Sequence, residues 1–412
     1  MRIPCIKCKG SDPRNCGRRF CPIYLKATTL FRIKNKLTKL RYNDFFSSAP
    51  GVFVGHYNYP KLNIGILSPV ENKNAWLYDA PRYWAEHNFP LVSIVNFRSS
   101  LLNSRFKLTV KQKTKLLEIS QEIAMASKPP DVEISLKEKP RFKLNLDSYL
   151  APTGPNAKLI KARITSNPEI HRFVDKVVSD FDLKANVAII SLYNKGFDEN
   201  FITKLLSIGN LGIKTNRKIV PTRWSITATD DIIGKELLNK VKQFKEDDYK
   251  LYFGHYLGNY FLILFFPGVW SYELFETYMP KSSWNISNKI SYISDYESYK
   301  GRGNYAENCG GGYYAARLAI IEKLFKLKRQ ASIFALRIIT GDYAIPLGVW
   351  VVREAAREAL KSKPIRFTSQ ELMLKYILWF IKKKFGYNIN NILKKSILLK
   401  ELKTQKRLIK FL

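Results

Sequence analysis

Four of the five cysteines fall close together, Cys5, Cys8, Cys16 and Cys21, spaced C-x2-C-x7-C-x4-C. A two-residue gap lets a pair of thiolates turn back onto one ion, and two such pairs close a tetrahedral shell of soft sulfur that suits zinc. So short a segment cannot build a core, so the ion would supply its folding energy. Neighbouring lysines and arginines favour the thiolate forms. A closed four-sulfur shell has no open position, which makes the expected single zinc structural. The alternatives are an iron–sulfur cluster, two disulfides or four free thiols. Disulfides fit poorly, because the opening MRIPCIKCKG places charge and cysteine where a secretory leader needs an apolar run. Chance fits poorly too, since the remaining chain holds only Cys309.

The second constellation closes the sequence, QKRLIKFL at 405–412. Gln405, Leu408 and Phe411 are each three residues apart, so a 3₁₀ turn would eclipse them on one face. Leu412 adds a further apolar group. This resembles the peptide with which replication and repair proteins dock on the DNA sliding clamp (PCNA). By that resemblance Gln405 enters a small polar pocket while Leu408 and Phe411 fill an apolar one. Leu412 departs from the pattern, which has a second aromatic there. The plain alternative is the end of an amphipathic helix.

Between these ends the chemistry is scattered. Asp230 and Asp231 precede IIGKELL and read as helix caps. Glu273 and Glu276 would share a helix face, and Asp295 and Glu297 a strand face. Such acids could hold Mg²⁺ for phosphodiester cleavage, but no spacing ties them together. His56, His87, His171 and His255 are dispersed, although His56 and His255 both sit in Gly-His-Tyr triplets. Cys309 precedes three glycines at the start of a helix, with no base beside it, and reads as a buried structural thiol. That glycine run lacks the Lys-Ser/Thr of a phosphate-binding loop. Arg98, Arg223 and Trp224 could touch DNA or make core contacts. No catalytic constellation is identifiable, so the reading leans away from an enzyme.

The elements that must carry these groups read as a mixed α/β body with appended ends. Apolar residues are 46% of the 412, enough for a large core. Lys and Arg number 69 against 34 Asp and Glu, a net charge of +35 that attracts polyanions. The excess concentrates at the ends: residues 1–41 hold one acid, Asp12, and residues 382–412 one, Glu401. The expected organisation is a four-Cys zinc module at 1–24, a basic helix at 25–41, an α+β-like body at 42–368, a basic helical arm or tether at 369–404, and the docking peptide at 405–412. Arg18, Arg19, Lys34, Lys36 and Arg223 are the candidate nucleic-acid contacts. Within the body, Gly51–Val54, Leu62–Leu67, Leu91–Phe97, Val187–Tyr193 and Leu251–Phe266 read as strands. Helices are expected over Lys111–Ser127, Phe197–Ile208, Asp230–Gln243, Tyr313–Arg329 and Gly348–Leu360. Prolines at 129, 130, 140, 152 and 155 make 128–157 extended, a surface crossing inside one domain. The longest apolar run, Tyr260–Phe266, is far short of a membrane span. The expected location is therefore the cytoplasm, near the nucleoid, with no membrane partner.

Several body segments together carry a family resemblance. They are SAPGVFVGHYNYPKLNIGILSPV (48–70), VNFRSSLL (95–102), APTGPNAKL (151–159), LLSIGNLG (205–212), VPTRWSITATDD (220–231), GGGYYAARLAIIEKL (310–324) and GVWVVREAAREAL (348–360). With them the chain resembles the archaeal Nre family of DNA repair proteins over nearly its whole length. The resemblance implies a role in the DNA damage response with clamp binding through the last residues, and it assigns no catalytic residue. The resulting expectation is a non-catalytic repair factor, tethered to the clamp and holding DNA electrostatically. A clamp-targeted metal-dependent nuclease is the alternative, and an RNA-binding factor a third, since charge alone does not separate DNA from RNA.

Overall fold

The computed structural model describes residues 43–69, 74–140, 152–280 and 287–404, with Cys21, Ile23, Tyr24, Ala27, Thr28, Phe31, Ser282, Trp284 and Asn285. The architecture is mixed α/β, in two compact units: Met1–Ile233 with Ala344–Leu347, and Gly234–Tyr343 with Gly348–Leu412. These units divide the stretch 42–368 that reads as one body in sequence. Among the described residues no helix is long and apolar enough to cross a membrane.

The first unit is built on a six-stranded sheet. Its strands are β1 (Asp44–Ser48), β2 (Gly51–Val54), β3 (Lys61–Pro69), β4 (Leu101–Thr109), β5 (Asp131–Leu136) and β6 (Asn156–Ile164). Their spatial order is β1-β5-β6-β4-β3-β2, antiparallel except for the β4–β6 pair. Alternation decides the faces. Leu62, Ile64 and Ile66 of β3, with Phe106 and Leu108 of β4 and Ala157 and Leu159 of β6, point into the core with Leu117 and Ile123 of a helix. The helices are α1 (Pro81–Glu86), α2 (Leu91–Ser100), α3 (Lys115–Met125), α4 (Arg172–Ser179), α5 (Ala185–Asn194), α6 (Glu199–Ser207) and α7 (Thr222–Val241), the last running on into the second unit. β5 lies within the proline-rich 128–157 stretch and pairs with β6, so residues 137–155 join two neighbouring strands of one sheet.

Two expected strands are helices here. Leu91–Phe97 lies in α2, where Leu91, Ile94 and Val95 are buried at helical spacing. Val187–Tyr193 lies in α5, burying Ala188, Ile189 and Leu192. A short unbroken apolar run satisfies either period, and tertiary packing decides between them. α7 also starts earlier than Asp230, because Pro221 accepts from the N–H groups of Trp224 (2.9 Å) and Ser225 (3.0 Å) and so begins the helix. Asp230 and Asp231 are therefore interior helix positions, not caps.

The second unit carries another six-stranded sheet, from β8 (Lys250–Tyr256), β9 (Asn259–Phe266), β10 (Ser271–Tyr278), β11 (Ser291–Glu297), β13 (Ser332–Ile339) and β14 (Ile365–Arg366), ordered β11-β10-β13-β9-β8-β14. β7 (Lys245–Glu246) and β12 (Arg329–Gln330) pair separately. One face is apolar: Phe275, Phe334, Leu336 and Ile338 pack with Met373, Ile377 and Ile381 of α10 (Gln370–Phe385). α11 (Asn390–Lys395) and α12 (Ile397–Thr404) add Ile392, Leu398 and Leu399 to that core. Residues 386–404 are thus docked, not the loose tether their lysines implied, because the apolar residues between the lysines are buried. The other face meets α8 (Gly311–Leu327), and α9 (Trp350–Lys361) packs on β8 and β9. Gly254 allows that contact, since a Cβ there would lie 2.5 Å from the Ala359 backbone.

Candidate nucleic-acid interface

The first sheet leaves part of its outer face to solvent, and that face is cationic. Lys61 of β3, Arg105 and Lys107 of β4 and Lys158 of β6 alternate with the buried core residues. Lys61, Lys107 and Lys158 are exposed and Arg105 is half-buried; none has an ion pair among the described residues. Arg105 and Lys158 are direct cross-strand partners. Like charges placed opposite each other repel, a cost that a bound polyanion relieves. Arg105 is held in place from below. A Cβ at Gly65 would lie 1.7 Å from the Asn103 amide, so the glycine makes room for it. With its oxygen turned toward Arg105, Asn103 accepts from Nε and Nη2, both at 3.2 Å. Burial lowers the Arg105 pKa, but a guanidinium stays charged at neutral pH.

At the edge of this face stands an aromatic group drawn from two distant motifs. The β2–β3 hairpin turns through His56–Pro60, with Asn58 in the left-handed region (φ 64°) and its carbonyl accepting from Lys61 N–H at 2.8 Å. Tyr57 is 68% exposed and Tyr59 48%, while Trp224 at the start of α7 is 47% exposed. The Tyr59 and Trp224 rings lie 5.4 Å apart, and His56 and Tyr57 4.1 Å. Thr222 joins the two motifs: its Oγ1 accepts from Val54 N–H at 2.9 Å and shares a hydrogen bond with Ser207 Oγ at 3.0 Å. Ser207 Oγ in turn donates to the Val220 carbonyl at 2.9 Å. Arg223 is exposed beside Trp224 without an ion pair among the described residues. Three large rings left in water, next to unneutralised cations, match what single-stranded nucleic acid needs: surfaces on which bases stack and charges that follow the backbone.

The other candidates are placed differently. Arg98 pairs with Asp79 at 2.7 Å and lies over the buried Trp84 ring, so it is a packing residue. Glu273 and Glu276 sit on β10, a strand, so their side chains leave opposite faces, correcting the expected shared helix face. Glu276 binds Arg337 Nη1 at 2.5 Å, and Arg337 also donates to Asn259 Oδ1 at 3.0 and 2.6 Å. Asp295 and Glu297 do share a strand face. Glu297 accepts from Arg317 Nε (2.8 Å) and Trp270 Nε1 (2.9 Å), and Asp295 from Cys309 N–H (2.8 Å). Glu276, Asp295 and Glu297 are occupied in a buried network beneath α8, and no group of three or more potential metal ligands occurs among the described residues. Cys309 is buried, and burial, reinforced by Glu276 and Asp295, pushes its thiol well above the usual range. The histidines stay apart. His87 stacks on Tyr83 at 3.8 Å, His171 caps α4, and His255 rests against Tyr260 at 4.6 Å.

Cys21 is buried, and its Sγ accepts from Tyr24 N–H at 3.4 Å. Cys5, Cys8, Cys16, Arg18, Arg19, Lys34, Lys36, Gln405, Leu408, Phe411 and Leu412 lie outside the described residues. Sequence reasoning missed Lys61, Arg105, Lys107 and Lys158 as one group. The signal was the outward phase of three strands, which becomes informative only once their register is known.

Comparison with known proteins gives two family matches: Archaeal Nre, N-terminal, over residues 15–285, and Archaeal Nre, C-terminal, over 297–411. The chain is 35% identical over 399 residues to a DNA repair protein NreB of Archaeoglobus fulgidus, covering 97% of each chain. It is 37% identical to a DNA repair protein NreA of the same organism, covering 90% of this chain and 91% of the relative. A DNA repair protein NreA of Haloferax volcanii is 36% identical over 76% of this chain and 77% of its own. No solved structure matches.

Proposed function

Because the chain belongs to the archaeal Nre family, we propose that it is a DNA repair factor that holds single-stranded or locally unpaired DNA on the exposed face of its first sheet. The observation that carries this reading is the cluster of exposed Tyr57, Tyr59 and Trp224 rings flanked in the chain by Lys61 and Arg223, on the same unit as an exposed row of cations along β3, β4 and β6. Bases stack on the rings, and phosphates follow Lys61, Lys107, Lys158 and Arg223. The names of the relatives, all DNA repair proteins, support the biological setting.

Two adaptors complete the proposal. Cys5, Cys8, Cys16 and Cys21 hold one structural zinc, which organises a basic N-terminal module carrying Arg18 and Arg19. Gln405, Leu408, Phe411 and Leu412 dock on the sliding clamp, raising local concentration at repair sites without high intrinsic affinity for DNA. The reading is tested by titrating labelled single-stranded DNA, duplex DNA and RNA with wild-type protein and a Tyr59→Ala, Trp224→Ala variant. Preferential loss of single-stranded DNA binding supports it. A variant that binds all three as wild type does refutes it, and tighter binding of RNA would reassign the polymer.

A further inference from the structure

A groove of about 460 Å³ in the first unit is lined by Val110 just after β4, by α3 and by residues of the 208–219 stretch. The Val110 N–H donates to the Pro60 carbonyl at 3.1 Å and the Ile219 N–H to the Val110 carbonyl at 2.9 Å. The hairpin tip and two segments that line the groove are therefore one hydrogen-bonded assembly. Its volume is that of a small-molecule site.

The lining has three chemistries. Phe181 is half-exposed, with the Arg217 guanidinium 4.6 Å over its ring. Arg217 is fixed there by donating to the Gly212 carbonyl (2.6 Å) and the Asp180 carbonyl (2.9 Å), and Lys214 Nζ lies 5.5 Å from the centroid of the same ring. Lys214 and Lys218 are exposed lining residues without an ion pair among the described residues. Lastly, two amides present acceptors. Asn210 is only 3% exposed, and its Nδ2 donates to the Gln121 carbonyl at 3.1 Å. Gln121 Nε2 donates to the Ile208 carbonyl at 3.1 Å. Each side chain gives one N–H to backbone, and neither oxygen receives a hydrogen bond from the described residues. Glu118 and Glu122 line the same groove and add only acceptors.

We propose that this groove takes one unpaired nucleotide from the bound DNA, with a preference for bases that carry an amino group. The base stacks at Phe181, its exocyclic amine donates to Asn210 and Gln121, and its phosphate lies with Lys214 and Lys218, away from the carboxylates. Thymine offers no amine to these oxygens. The inference rests on the first unit binding DNA, but it can fail separately.

The full chain is titrated with dAMP, dCMP, dTMP and inorganic phosphate, and with duplexes holding one extrahelical dA or an abasic residue at the same place. The amino-bearing nucleotides are expected to bind about tenfold more tightly than dTMP, and the dA duplex to be preferred over the abasic one. Phe181→Ala is expected to erase both preferences while single-stranded DNA binding persists. Equal binding of dAMP, dTMP and phosphate, no discrimination against the abasic duplex, or preferences untouched by Phe181→Ala would each overturn the proposal. If nucleotides bind as expected but DNA binding survives loss of Tyr59 and Trp224, the groove stands and the wider reading falls.

Discussion

Trp224 and Tyr59 gain little by remaining in water, and their cost becomes intelligible if bases cover them. Replacing either by alanine should weaken single-stranded DNA binding by about 1–2 kcal/mol, roughly 5- to 30-fold. Both rings are half-exposed, so thermal unfolding should barely move; a large fall in melting temperature would make them packing residues instead. Cys309 makes the opposite case. Its buried, upward-shifted thiol should resist iodoacetamide in the native protein and react once the chain is unfolded. Rapid native labelling would reopen the idea of a nucleophile. Gly312 is equally constrained, since a Cβ there would lie 2.5 Å from Glu276 Oε1. Gly312→Ala must displace the buried Glu276–Arg337 pair and should cost about 3 kcal/mol in denaturant unfolding; a neutral effect would mean the pair relaxes freely.

Among the elements, α12 shows how a buried acid can hold a terminal helix. Glu273 accepts from the N–H groups of Ile397 (3.0 Å) and Leu398 (3.1 Å) and from the Ser396 hydroxyl. Burial raises its pKa despite these bonds. The folded state therefore favours the protonated acid: its contribution is full below the ordinary carboxylate range and declines as pH rises through the raised value. Glu273→Gln should flatten that decline on the alkaline side of the ordinary carboxylate range, measured as denaturant midpoint against pH; identical slopes would remove Glu273 from the linkage. Several elements could be read directly from sequence. β2, β3, β8 and β9 alternate or run apolar between turn residues, and α3, α6, α8 and α9 show helical spacing. The α2 and α5 segments could not be assigned, because their short apolar runs fit both periods. The helical arm was misread from its charge: its lysines are conspicuous in sequence, whereas the buried Ile392, Leu398 and Leu399 matter only beside β10 and β13. The candidate interface was half legible. Arg223 and the GHYNYP and TRW motifs stand out individually, but only the fold brings them together, through Thr222 with Val54 and Tyr59 with Trp224.

For the molecule as a whole, +35 of net charge explains why it should seek a polyanion, and its uneven distribution leaves open where. The zinc proposal predicts one zinc per chain by elemental analysis, lost on Cys5→Ser and Cys8→Ser; a metal-free preparation with a folded N-terminal module would reject it. Clamp docking predicts a marked loss of clamp affinity in Phe411→Ala, and equal affinity would remove the tether. Neither result decides whether the sheet face binds DNA, which is the central claim. The direct measurement is single-stranded DNA affinity across a salt series for wild type and for Lys107→Glu, Lys158→Glu. The account predicts a steep salt dependence in wild type, and in the variant a weaker affinity with a log–log slope shallower by about 1.4, the release of two phosphate contacts. Unchanged affinity and slope would assign binding to the basic chain ends and contradict it.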